Sequence, residues 1–204
     1  MPEFIMENLD YVISIFTTLF AVCGMQFKNM KVIIFSQLVS NGLLAAQCII
    51  GGTMSTGGVV ILGTVQTAIS FVFAYKKVKF PAWLTLLFMA GFTAVTVIGF
   101  ISPDIKSSPF DLLTMVAAWF FAVAMVQEKS WICRGFSMAN LALWLTYDII
   151  VLPSGIITHV IIIGFTVVSI IRNDREEWSS VFNKIFGKKK AESLPEEEKK
   201  SEEV

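Results

Sequence analysis

Between residues 11 and 171 the chain is a succession of apolar runs separated by short polar breaks, at 11–27, 32–50, 56–75, 82–101, 109–126, 131–152 and 155–171. Each run has the length a helix needs to cross a hydrocarbon layer of ~30 Å. The breaks carry turn chemistry: Gly51-Gly52 with Gly57-Gly58, Pro81, Ser102-Pro103-Asp104, Ser107-Ser108-Pro109 and Pro153-Ser154-Gly155. Apolarity is continuous within each run and lacks the in/out alternation of barrel strands, so the backbone must satisfy its own hydrogen bonds as helix. The pattern predicts an all-α membrane protein with seven transmembrane helices.

Composition agrees. Of 204 residues, 55% are hydrophobic and 16% charged, and the mean hydropathy is +0.70; a soluble domain is normally about a quarter charged. A soluble bundle would also need polar helix faces, which these runs do not offer. Lysine and arginine fix the expected orientation, because cytoplasmic loops are enriched in them. With the N-terminus outside, Lys28, Lys31, Lys76, Lys77, Lys79, Lys129, Arg134, Arg172, Arg175 and the tail fall inside, and of the sixteen basic residues Lys106 alone stays outside. Glu3, Glu7 and Asp10 precede the first run where a cleavable signal would be basic, so the first helix is expected to direct insertion.

Beyond the seventh run, Trp178, Val181, Phe182, Ile185 and Phe186 recur at helical spacing until Gly187. This predicts an amphipathic helix over 175–187 on the cytoplasmic surface, with Lys188 to Lys190 drawn to anionic lipid. Docking of a soluble partner is the other use of that segment. Residues 188–204 are polar, lack aromatics and read as a disordered charged tail.

A weak internal repeat lays the first three runs over the last three. Phe20-Ala21-Val22 and Gln26 align with Phe121-Ala122-Val123 and Gln127, and Phe35-Ser36 with Phe136-Ser137; after a small slip Asn41 meets Asn140 and Ile49-Ile50 meets Ile149-Ile150. The organisation read from this is an extracytoplasmic N-terminus (1–10), a first triple-helix bundle (11–75), a linker helix (82–101) and a second triple-helix bundle (109–171). One linking helix gives two odd-numbered units the same orientation, hence parallel repeats about an axis normal to the membrane.

Gln26-Phe27-Lys28 with Lys31, Ser40-Asn41, Gly51-Gly52, Gln66-Thr67, Asn140, Gly155 and Arg172 resemble the YgjV family of bacterial inner-membrane proteins, which is similar in turn to the SWEET, PQ-loop and PnuC-like carriers. The resemblance spans about residues 10 to 175. It implies a SWEET-like 3+1+3 arrangement around a central substrate path, in the bacterial inner membrane. The chain departs from the carriers in lacking a Pro-Gln pair and interior prolines in helices one, two, five and six. Gln66 stands where YgjV-like chains carry a basic residue.

Polar side chains at bilayer depth are costly, so their positions are informative. Asn41, Gln66 and Asn140 fall near the middle of their runs; Gln37 and Ser40 share a face with Asn41, and Ser137, Asn140, Trp144, Tyr147 and Asp148 form a stripe at helical intervals. A carboxamide offers donors and acceptors to a neutral, hydroxyl- or amide-rich solute, and Trp144 and Trp119 offer faces on which it could stack. Asn41, Asn140, Gln37, Gln66, Trp119 and Trp144 are thus the candidate substrate contacts. The competing use of the same residues is hydrogen bonding between helices, at about 0.6–2 kcal/mol each. Tyr147, Asp148 and His159 fall near the outer ends of the sixth and seventh runs and form a candidate vestibule, where protonation could couple transport to a proton gradient. Asp111 is expected to cap the fifth helix.

No catalytic residue, metal site or cofactor is expected. There is no GxSxG, HExxH or Walker A pattern, one histidine, and Cys23, Cys48 and Cys133 lack CxxC spacing. Zero net charge gives no footprint for nucleic acid. The partners implied are the lipid bilayer and a small polar solute, with a homo-oligomer as a further candidate. The functional expectation is a membrane transporter of a small polar solute rather than an enzyme; the rival is a non-transporting scaffold or accessory subunit.

Overall fold

The computed structural model describes residues 3–50, 54–102, 108–151, 156–181 and 183. The turns at Gly51-Gly52 and Pro153-Ser154-Gly155, Lys106, the end of the amphipathic stretch (Phe182, Ile185, Phe186, Gly187) and the tail 188–204 lie outside these residues. Among the described residues seven helices follow one another: α1 (Glu3–Met25), α2 (Met30–Ile50), α3 (Met54–Lys76), α4 (Ala82–Ile101), α5 (Asp111–Ala124), α6 (Ser130–Ile150) and α7 (Ile156–Asn173). An eighth helical stretch, α8, covers 175–181, and among the described residues there is no strand.

Each apolar run coincides with a helix, but the bounds differ for physical reasons. α1 starts at Glu3, eight positions before the apolar run, because helix formation does not require apolarity. α5 has 14 residues, about 21 Å of helix. Among the described residues, four helical spans are long and apolar enough to cross a membrane: Met30–Ile50, Gly57–Lys76, Ala82–Ile101 and Ile156–Asn173. The apolar part of α1 (Val12–Met25) and α5 are shorter, and α6, with Arg134, Ser137, Asn140 and Asp148 along it, is more polar.

Local chemistry sets the ends. Before α5, the Asp111 carboxylate accepts the Ser108 backbone N–H at 2.8 Å while the Ser108 hydroxyl accepts the Phe110 N–H at 3.3 Å, a reciprocal brace of the turn that leads into the helix. α3 ends with Lys77 in the left-handed region at φ 56°; its N–H reaches the Ala74 carbonyl and that of Val78 the Phe73 carbonyl, closing the last turn.

Six helices form a closed ring. The principal contacts run α1 to α2, α2 to α3, α3 to α5, α5 to α6, α6 to α7 and α7 back to α1. α4 stands outside, against α3 and α5, where Phe88 and Phe92 pack with Val59, Ala118 and Ala122. The outer surface is apolar: Ile15, Phe16, Leu19, Ile61, Trp83, Leu86, Leu87, Ile98, Ile157, Val168 and Ile171 are all exposed. A surface of this kind is tolerated in lipid, whereas soluble monomers keep exposed apolar patches small.

The seam between α1 and α2 depends on small residues. A Cβ placed on Gly24 would lie 2.5 Å from the Ser36 Cβ, so only glycine permits this approach. That closeness lets the Ser36 hydroxyl donate to the Phe20 carbonyl and the Ser40 hydroxyl to that of Thr17, while Gln47 donates to the Ser14 hydroxyl.

Lys31, Tyr75, Lys79, Glu128, Arg134, Arg172 and the α1 terminus come together at one end of the ring, the basic end: Lys31 lies over the Tyr75 ring, Lys79 meets Glu128 at 3.6 Å, and Arg172 reaches Gln26.

Candidate functional site

Polar side chains occur at three levels of the ring. In the middle layer, Thr17, Asn41, Gln66 and Asn140 lie 8, 11, 10 and 10 residues from the basic ends of α1, α2, α3 and α6. That is about 12–17 Å along each axis. Asn41 donates to the Thr67 hydroxyl at 3.3 Å, and Thr67 passes its own proton to the Gly63 carbonyl at 2.7 Å. Gln66 is wholly buried and donates to the Ala122 carbonyl of α5 at 3.0 Å, tying α3 to α5. Gln37 and Ser40 are buried on α2. Among the described residues, five buried side-chain oxygens of this layer and its surroundings have no hydrogen-bond partner: Thr17 Oγ1, Gln66 Oε1, Ser70 Oγ, Ser137 Oγ and Asn140 Oδ1.

At the end opposite the basic one, α5, α6 and α7 contribute one cluster. Asp148, 1% exposed, contacts His159 Nδ1 at 2.5 Å. The indole of Trp144 stacks on the His159 ring with centroids 6.0 Å apart and 8° between planes, and meets Tyr147 edge-on at 5.8 Å. Tyr147 donates to Asp111 Oδ1 at 3.1 Å. Asp111 is the first residue of α5, whose N-cap Phe110 has no side-chain cap, so instead of capping the helix it braces the preceding turn and anchors α6.

The basic end holds the densest network, centred on the α1 terminus. The Met25 carbonyl stands at the negative end of the α1 dipole without a partner in the helix, and those of Gln26 and Phe27 follow just beyond it. All three are taken by α6 and α7. Arg134, 0% exposed, donates Nε to Met25 at 3.0 Å and Nη2 to Phe27, while Nη1 pairs with the buried carboxylate of Asp174. Ser169 also donates to the Met25 carbonyl, and Arg172 and Asn173 donate to that of Gln26 at 2.9 and 3.0 Å. Gln26 in turn donates to the Phe165 carbonyl at 2.9 Å. Beneath this network Met25, Ile33, Ala124, Met125 and Cys133 form an apolar plug contributed by the ends of α1, α2, α5 and α6.

A family model described as bacterial inner membrane protein, Imp-YgjV, matches residues 8–177. The chain belongs to the Imp-YgjV family. No curated protein and no solved structure matches it. As an Imp-YgjV protein it is a bacterial inner-membrane protein, and its helices suit multi-pass insertion.

Within this Imp-YgjV chain the residues singled out by sequence fall into separate places. Asn41, Gln66 and Asn140 share the middle layer. Tyr147, Asp148, His159 and Trp144 form the cluster at the opposite end, so Trp144 belongs with the titratable pair. Trp119 stands apart: its indole N–H donates to the Met89 carbonyl of α4 at 3.2 Å and its ring packs in the α3/α4/α5 contact. Of the stripe along α6, Ser137 and Asp148 are buried. The sequence reading missed Asp174 and Ser169, and took Arg134 only as a marker of loop charge. The signal was present: an arginine one turn inside a membrane helix must find a partner, which makes it a functional candidate by default.

Proposed function

We propose that this protein is a carrier for a small polar solute, with a path along the axis of the ring between α1–α3 and α5–α7 and α4 as the link of a SWEET-like 3+1+3 plan. In this reading the N-terminus is outside and the basic end faces the cytoplasm, as the lysine and arginine distribution requires. One observation carries the proposal: Thr17, Gln66, Ser70 and Asn140 each keep a buried oxygen without a partner. Such a group costs about 1–3 kcal/mol if left unsatisfied. Native structures rarely retain it without a ligand, water or function to account for it. A solute bringing hydroxyl or N–H donors would supply what these oxygens lack, and Asn140 is the residue on which we place the main contact.

A scaffold is the second reading, favoured by the bonds that Asn41 and Gln66 make to neighbouring helices. Thermal shift against a panel of polyols, sugars, amides and amino acids separates the two, because a solute that binds only the folded protein raises its apparent stability. The carrier reading predicts a hit whose shift is lost in Asn140→Leu and weakened in Asn41→Leu, followed by flux of the same solute in proteoliposomes. A hit that persists unchanged in the Asn41→Leu/Asn140→Leu protein removes the assigned site. A panel without hits together with a stabilised Asn140→Leu protein favours the scaffold.

A further inference from the structure

The polar bonds that cross between α1–α3 and α5–α7 are unevenly placed along the ring. Near the basic end there are many: Arg134 to Met25 and Phe27, Ser169 to Met25, Arg172 and Asn173 to Gln26, Gln26 to Phe165. At the opposite end the side-chain bonds found among the described residues stay within one half: Gln47 to Ser14 on one side, Tyr147 to Asp111 and Asp148 with His159 on the other. Apart from Gln66 to the Ala122 carbonyl in the middle layer, the halves are thus fastened together by side-chain bonds at the basic end.

Arg134 dominates that fastening, and its position is conditional. A guanidinium carries its charge at any accessible pH, so it can remain fully buried only while a carboxylate and oriented dipoles offset the lost hydration. The dipoles come from the α1 terminus; the carboxylate comes from Asp174, 1% exposed, at the junction of α7 and α8. α8 is itself seated on α6. Trp178 meets Trp131 edge-on with ring centroids 5.6 Å apart, and a Cβ on Gly135, next to Arg134, would lie 3.1 Å from the Trp178 ring. At the equivalent place in the first half, 101 positions earlier, stands Ile33, which packs apolarly in the plug. The buried arginine therefore has no counterpart at that place in the first half.

We propose that Arg134 is a latch that shuts the basic end of the ring, held in place by Asp174, and that α8 controls it by presenting or withdrawing that carboxylate. With Asp174 in position the arginine grips the α1 carbonyls and the plug stays closed. With it withdrawn, the uncompensated charge leaves the interior for water, the α1 terminus loses its partners, and the basic end opens toward the middle layer. The latch presupposes the path of the carrier reading, but it is read out without transport. A protein that gates as described and moves no solute would keep the latch and lose the carrier.

Cys133 supplies a native probe, since it is wholly buried in the plug beside Arg134. In full-length Cys23→Ser/Cys48→Ser protein in inverted membrane vesicles, an impermeant maleimide should label Cys133 slowly. Asp174→Asn should raise that rate at least tenfold and Asp174→Glu should leave it slow. An Ala45→Cys probe lacking the native cysteines reports on the buried face of α2 away from the plug, and should stay slow in the Asp174→Asn background. Rates at 133 that do not change, or that rise equally at 45 and 133 as in general loosening, overturn the latch. Trp178→Ala should raise the rate at 133 in the same way; an unchanged rate there overturns the role of α8.

Discussion

Replacing Arg134 with methionine, similar in length and uncharged, should lower the stability of the detergent-solubilised protein by about 3–5 kcal/mol, the usual cost of breaking a buried ion pair by removing one partner. The reason lies in what remains. Asp174 keeps a carboxylate that is 1% exposed, and the Phe27 carbonyl loses the donor described above; Met25 retains Ser169. A marked fall in apparent Tm is the expected reading. Arg134→Met/Asp174→Asn should recover much of it, because the neutral amide no longer leaves a charge stranded. A single variant as stable as the native protein would mean that water already reaches the guanidinium, and that its burial carries no energetic weight.

Gly24→Leu should be the next most damaging change. A Cβ at this position would meet the Ser36 Cβ at 2.5 Å and its hydroxyl at 2.8 Å, and both belong to a neighbouring helix that cannot yield by a rotamer change alone. α1 and α2 must separate, breaking the Ser36 and Ser40 bonds to α1 carbonyls. Overpacking of this kind costs about 1–3 kcal/mol. Pairing Gly24→Ala with Ser36→Gly should restore stability relative to Gly24→Ala alone, measured by the same thermal unfolding. Independence of the two changes would show that the seam is not set by this contact.

These two sites show what the sequence made legible. Apolar run length and glycine/proline breaks located the helices, because lipid imposes one requirement, a self-satisfied backbone, on every crossing. The polar stripe of α6 was legible from spacing alone, and it placed Asp148 and His159 at neighbouring depths on adjoining helices. Their contact followed once α6 and α7 packed. Other features were not legible because they depend on which helices meet. Trp119 read as a stacking face for the solute, yet α4 packs against α5 and its Met89 carbonyl takes the indole N–H. Asp174 follows the last apolar run and reads locally as a loop acid, and only the packing of α7 on α6 brings it to Arg134. Run length also hid the shortness of α5, since Pro109 and Phe110 are apolar but precede the helix.

Water access to position 140 tests the carrier reading most directly. Asn140→Cys in a protein otherwise freed of Cys23, Cys48 and Cys133, with a membrane-impermeant thiol reagent applied separately to spheroplasts and to inverted vesicles, reports which face of the membrane reaches the middle layer. A ring fastened at its basic end around a solute path predicts reaction from the spheroplast exterior and protection in inverted vesicles. A cysteine inert from both faces in folded protein would mean a packed interior, and would contradict the carrier.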